Sequence, residues 1–300
     1  MNNNNLPVVS VAIITYNQKE YLEECIESIL IQDYENIEIV VADDCSQDGT
    51  QLMLKEYELQ YPNKFVLLLA DENLGITKNS NKAHFACSGK YIFWIGGDDL
   101  MLPNKITKQV EYMEANPICT ICYHNLDVFE SSTNKTLHFM NNKKNSFTGD
   151  FKSVVSKGTF NGACATAVRN EKTPKNGFDE RIPIASDWLY WMQTLLNGGE
   201  IHYINEVLGR YRRHGNNITS NVSNFNGQID HLNSCNILLI ESPQYSKQIL
   251  KGYYEIQRSL RIYDKKNYYN WLISSTNFNV NMKSLLLLFV YYFSFGIIKK

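Results

Sequence analysis

The stretch VVSVAIITYNQKEYLEECIESILIQDYENIEIVVAD, residues 8–43, decides the fold class. Its first eight residues form an almost unbroken apolar run of strand length, the pattern of a strand buried on both faces. Tyr21, Leu22, Cys25, Ile26, Ile29 and Leu30 then recur at helical spacing and predict an amphipathic helix. IEIVVAD (37–43) is a second buried strand. The unit repeats downstream, with a helix over 48–61 entered through SQDGT, a strand KFVLLLA (64–70), a helix over 76–87 and a strand YIFWI (91–95). Such alternation predicts an α/β fold, a mostly parallel central sheet flanked by helices. Ligands of such sheets bind beyond the carboxyl ends of the strands. TYN (15–17), DDCS (43–46) and GGDD (96–99) all fall there.

Asp98 and Asp99 follow a buried strand directly, where like charges are expensive unless something positive neutralises them. A polar turn is one explanation, since Gly-Gly-Asp-Asp is good turn chemistry. The other is a divalent cation. The chain has neither G-x-G-x-x-G nor G-x-x-x-x-G-K-[ST], so no backbone phosphate cradle is signposted. Paired carboxylates supply the hard oxygens that Mg²⁺ or Mn²⁺ takes while carrying a diphosphate. The two glycines let backbone and ligand approach closely.

After residue 117 the rhythm changes. ICTICYHNLDVF (118–129) predicts a strand, GACATAVR (162–169) another, SDWLYWMQTLL (186–196) a helix, and VLGRYRRH (207–214) a short strand ending in basic residues. From about 221 onward, helices rich in Tyr, Asn and Leu are expected.

The stretches at 9–50 and 73–103, with their motifs in order, resemble the family 2 glycosyltransferases of the GT-A fold, strongly over about 8–115 and more weakly to about 217. The resemblance implies inverting transfer of a hexose or amino sugar from a UDP-sugar donor to a glycan or lipid-linked acceptor, in bacterial surface polysaccharide assembly. Carried over by position, Thr15, Tyr16, Asn17, Asp43, Asp44 and Asp98 would bind the nucleotide-sugar, with Tyr16 beside the base. Asp99 and His214 would hold Mn²⁺ or Mg²⁺, and Asp187 in ASDW would be the general base. Two departures stand out: Gly96 replaces the first acid of the D-A-D-D seen in many relatives, and Ser80 stands where many carry Arg. Without the resemblance, Asp43 and Asp44 read as strand-end caps, Asp187 as a carboxylate favoured by a helix N-terminus, and His214 as a loop residue.

Composition narrows the partners. The 300 residues are 44% hydrophobic and 20% charged, ordinary for a globular chain, and a net charge of −2 offers no footprint for nucleic acid. Seven cysteines, an odd number, fit reduced cytosolic thiols, with Cys119 and Cys122 as core residues. The expected organisation is a disordered leader (1–7), a catalytic domain (8–220) and a helical C-terminal extension (221–300). The tail SLLLLFVYYFSFGIIKK (284–300) is short for a membrane span, and its tyrosines and terminal lysines suit an in-plane contact with an anionic membrane surface. A cytoplasmic protein, peripheral on the inner face of the membrane, is the expectation. Two other functions fit less well. A sugar-nucleotide nucleotidyltransferase needs a Gly-rich basic loop that ITYNQKEYL lacks, and a non-catalytic nucleotide-sugar-binding protein is compatible with Gly96.

Overall fold

The structure, a computed structural model, describes residues 6–141, 144, 146–158, 162–215, 217, 221–278 and 286–290. Three strand–helix units and a fourth strand come first: β1 (Val9–Thr15), α1 (Lys19–Leu30), β2 (Ile37–Asp43), α2 (Thr50–Gln60), β3 (Phe65–Leu69), α3 (Ile76–Ala86) and β4 (Tyr91–Gly96). A two-residue strand β5 (Leu100–Met101), α4 (Lys105–Ala115), β6 (Cys119–Glu130), β7 (Thr136–Phe139) and the single turn α5 (Phe151–Val154) follow. The chain then forms β8 (Thr166–Arg169), α6 (Ser186–Leu196), β9 (Glu200–Arg213), α7 (Asn221–Glu241), α8 (Ser246–Tyr263) and α9 (Tyr268–Phe278).

Among the described residues one sheet contains all nine strands, in the order β3-β2-β1-β4-β8-β6-β9-β5, with β7 added to β6. The first four run parallel, and β6 pairs parallel with β9. β8 is wedged antiparallel between β4 and β6, and β5 is antiparallel to β9. Register matters most at the carboxyl edge. Thr15 lies opposite Asp43, and Ile14 lies opposite Gly96. The loops leaving β1, β2 and β4 therefore start level with one another on neighbouring strands.

The apolar runs become the core as expected: Val9, Val11, Ile13, Ile39, Val41, Ile92 and Phe93 are fully buried. Trp94, Trp188 and Trp191 belong to the same core, which resolves them as packing residues and not exposed sugar platforms. Residues Leu232, Cys235 and Leu238 of α7 and Ile249, Ile256 and Leu260 of α8 join that cluster too. The helices beyond 220 are thus packed onto the sheet unit. Leu6 and Pro7, assigned to the leader, are tied down by carbonyls that accept from Asn36 Nδ2 (2.9 Å) and Tyr34 Oη (2.7 Å); residues 1–5 lie outside the described residues.

The later strands depart from the sequence expectation. β9 starts at Glu200, seven residues before VLGRYRRH, because exposed Asn205 and Glu206 interrupt its apolar pattern where the register with β6 shifts. In 162–169 only Thr166–Arg169 is strand, the preceding Ala163–Ala165 being a 3₁₀ turn. No described helix is long and apolar enough to cross a membrane. Of the tail 284–300, residues 286–290 form helix, with Leu286 and Phe289 exposed, and the rest lies outside the described residues.

Candidate active site

The acid pair after β2 is held by local donors. Asp43, with no exposed surface, accepts from the Ser46 amide (3.0 Å), the Ser46 hydroxyl and Gln51 Nε2 (2.8 Å). Both of its oxygens are engaged below the loop, so it holds the 43–46 turn in place. Asp44 continues the edge: its amide donates to Thr15 O (3.0 Å). Its carboxylate accepts from the amides of Leu74 (2.7 Å) and Gly75 (2.9 Å) and so fixes the entry to α3. Gly75 has φ +85, a conformation most side chains avoid, which lets the chain turn under Asp44 into the helix.

The TYN loop braces the same turn. Asn17 adopts φ 51, donates its amide to Ser46 Oγ (2.8 Å) and accepts from the Gln47 amide (2.8 Å). Asparagine tolerates this left-handed region better than most residues. Tyr16 stands 47% exposed at the lip, open to a planar ligand. Thr15 Oγ1 is buried without a hydrogen-bond partner among the described residues. A Cβ on Gly97 would come within 2.9 Å of that hydroxyl, so glycine is what lets the β4 loop close over β1.

The second acid pair is braced from far along the chain. Arg212, almost wholly buried near the end of β9, donates its amide to Asp99 Oδ1 (2.9 Å) and its Nε to Asp98 O (2.7 Å). Its guanidinium also reaches Glu24 Oε2 (2.6 Å) and lies 4.7 Å from the Tyr21 ring centroid. Two residues on, His214 Nε2 meets Asp98 Oδ2 at 2.9 Å, and Asn217 Nδ2 donates to the same oxygen (3.2 Å). The two acids therefore divide. Asp98 is partly exposed and faces the imidazole, whereas Asp99 points inward, where the Cys164 thiol also donates to it. Burial first, and the charge of Asp98 second, push Asp99 well above the usual carboxylate range, against the pull of Arg212. His214, named with Asp99 from the sequence, thus contacts Asp98.

Asp187 opens α6, where its Oδ1 accepts from the Trp188 amide (2.8 Å). Burial raises its pKa, and the helix-end hydrogen bonds partly offset this. The link to the acid pairs runs through α3. Thr77, two residues beyond Gly75, donates to Ile182 O (2.6 Å) and meets Ser186 Oγ at 2.9 Å. Ser80 sits one turn further on, bonded to Ile76 O (2.9 Å) and buried.

Sequence reasoning missed Arg212 as the brace of the acid loop, treating the three arginines of RYRRH as equivalent. Arg210 turns instead to Asp127 (2.8 Å). It also missed Glu24, Asn217 and Cys164, none of which carries a local signal. Among the described residues no group of three or more His, Cys, Asp or Glu could hold a metal ion by itself.

A nine-stranded mixed sheet with acid pairs on its carboxyl edge is a GT-A glycosyltransferase architecture. Glycosyl transferase family 2 matches residues 10–172, and the chain belongs to that family. A Mycobacterium tuberculosis protein of uncharacterised function is 30% identical over 212 residues, covering 70% of this chain; the chain spans only 60% of that relative's length. A Bacillus subtilis protein bearing the name of a teichuronic acid biosynthesis glycosyltransferase, TuaG, is 27% identical over 215 residues, 72% of this chain and 82% of its own. Two solved structures share the fold at 15% identity. Staphylococcus aureus TarS 1-349 with UDP-GlcNAc gives a TM-score of 0.66 over 93% of this chain and 77% of its own. The mannosyltransferase PcManGT of Pyrobaculum calidifontis with GDP-Man and Mn²⁺ gives 0.66 over 99% and 85%.

Proposed function

We propose that the protein transfers a hexose or amino sugar from a UDP-sugar to a glycan or lipid-linked acceptor, inverting the anomeric centre with the aid of Mn²⁺ or Mg²⁺. The observation that carries this is the Asp98–His214 pair, 2.9 Å apart, at the edge where the ends of β1, β2 and β4 meet. A carboxylate oxygen and an imidazole nitrogen suit Mn²⁺, and two protein ligands are what a cation shared with a diphosphate takes. Asp98 and His214 would hold it, and Asp99, whose Oδ1 is committed to the Arg212 amide, would support them from beneath. When bound, the metal supplies electrostatic stabilisation of the charge that gathers on the leaving diphosphate.

The chain's own residues do the rest. Asp44 and Tyr16 face the nucleoside, with Asp43 and Asn17 holding their loops. The Thr15 hydroxyl, buried where the Gly97 loop closes over β1, backs the floor of the site. Asp187 takes the proton of the acceptor hydroxyl as its oxygen bonds the anomeric carbon and the bond to the diphosphate breaks. The name of TuaG and the UDP-GlcNAc complex of TarS support a bacterial envelope polymer and a UDP-linked donor.

The test is nucleotide release from UDP-GlcNAc, UDP-glucose, UDP-galactose and GDP-mannose, with Mn²⁺ and with EDTA. UDP release that EDTA abolishes is expected; full activity in EDTA overturns the metal, and GDP release alone overturns the uridine donor. Asp187→Asn keeps the shape and removes the base, so kcat falls about 10²–10⁴-fold with donor binding nearly unchanged. Because burial raises the Asp187 pKa, the acid limb of the pH–rate profile lies above the ordinary carboxylate value and activity rises with pH through it. Wild-type kcat in Asp187→Asn would leave the residue a helix cap.

A further inference from the structure

The helix that carries Asp187 has no cap of its own. Its N-cap position is Ala185, which has no side-chain acceptor, and the amides just before it need partners. They find one outside the segment. Oδ2 of Asp230, on α7, accepts from the amides of both Ile184 and Ala185, at 3.0 Å each. Asp230 is only 5% exposed, so this double contact is shielded from water. One residue on, His231 packs its ring against Trp188, with centroids 5.6 Å apart. At the far end of α7, Glu241 accepts from Gln193 Nε2 (3.0 Å) of α6 and Arg181 Nη2 (3.3 Å) of the preceding loop. Asp187 therefore sits in a segment gripped on both sides by one helix.

We propose that Asp230 is a positioning residue for the general base, which makes α7 part of the catalytic apparatus instead of an appendage; this rests on the reading of Asp187 given above. The Asp230 carboxylate fixes the two peptide groups before Ser186. The direction in which Asp187 leaves the helix start is set by those peptides. A base displaced by about 1 Å loses on the order of 10²-fold in rate, whereas donor binding, made on the β1, β2 and β4 loops, does not depend on it. Glu241 sits at an exposed end and contributes less.

The experiment measures turnover of the fastest donor in the panel above, with water or acceptor as nucleophile. Asp230→Ala should lower kcat about 10–100-fold while KM for the donor and UDP affinity stay within about twofold. Asp230→Asn keeps an oxygen able to accept both amides and should recover most of the rate. In the double variant, Asp187→Asn with Asp230→Ala should be no slower than Asp187→Asn alone, because a positioning residue acts only through the group it positions. Additive losses, or a fall in UDP affinity equal to the fall in kcat, would overturn the proposal. If Asp187→Asn retains full kcat, it is the general-base reading that fails. If Asp230→Ala does not fold, Asp230→Ser carries the same comparison with a shorter acceptor. Amide exchange gives a readout without turnover: the Ile184 and Ala185 amides should lose protection in Asp230→Ala, and unchanged protection rejects the contact.

Discussion

Two acid pairs end two strands of one sheet, and they are stabilised in opposite ways. Asp43 and Asp44 are held by neutral donors from the next few residues and from the entry to α3, none more than 31 residues away. Asp98 and Asp99 are held by Arg212 and His214, 113 or more residues further along the chain. A carboxylate satisfied by backbone amides needs no counter-charge. Two adjacent carboxylates with one buried are costlier, and an arginine pinned between Glu24, Tyr21 and the acid loop braces them and eases the charge on Asp99. The pairs also divide differently: Asp43 and Asp44 are both buried and committed to loop donors, whereas in the second pair Asp99 is buried and Asp98 stays partly exposed.

That comparison breaks most sharply at the second pair. Asp98→Asn should cut turnover by at least about 10³-fold and abolish the Mn²⁺ response. Asp99→Asn, which can still accept from the Arg212 amide, should stay within about tenfold of wild type. The reverse ranking would return the metal to Asp99. At the first pair the effects should separate by kind. Asp44→Asn replaces one acceptor with a donor facing an amide, and UDP affinity measured by calorimetry should fall about tenfold or more. Asp43→Ala orphans the buried donors of Ser46 and Gln51 and should cost about 1–3 kcal/mol, seen as a melting temperature lower by several degrees, with UDP affinity of the folded protein nearly unchanged. Equal losses of affinity in both variants would show that the inward acid also touches the donor.

The smallest effect lies under the second pair. Lys105, fully buried, donates to Gln109 Oε1 (2.8 Å) and sits 4.8 Å above the Phe93 ring, and burial lowers its pKa to about 7. The unfolded chain therefore holds more protons at this site between about pH 7 and the ordinary lysine value, so this residue's contribution to stability improves as pH rises through that window. Lys105→Met should gain most over wild type at pH 6, and the difference in melting temperature should shrink by pH 9. A difference that does not change with pH would mean the ammonium is not the source.

How far all this could be read in the sequence follows the same divide. Continuous apolar runs and helical spacing announced β1 to β4 and α1 to α3, because each is set by its own burial. The bounds of α6, Ser186–Leu196, match the sequence expectation for the same reason. β7 was missed, since all four of its residues are exposed and it borrows its hydrogen bonds from β6. β5 is two residues long, too short to show a period. The positions of the candidate site residues were legible through ordered motifs; which acid of a pair faces outward was not. That choice is made by Arg212, and nothing around RYRRH distinguishes it from Arg210 until β9 is paired in register with β6. Asp230 was invisible for a similar reason, its partners being two backbone amides 45 and 46 residues upstream.

The long reach of Arg212 has a consequence during synthesis. The acid loop leaves the ribosome 114 residues before the arginine that braces it. At about 5–20 residues per second, the nascent chain spends roughly 6–23 s with two adjacent carboxylates and no brace from β9. Through that interval the first four strands can pair, since their own hydrogen bonds and apolar contacts are already present, but the catalytic edge cannot close. The acid-bearing edge is therefore the last part of the sheet to mature, and a chain that stalls before β9 emerges would carry a half-built sheet with an open acidic rim.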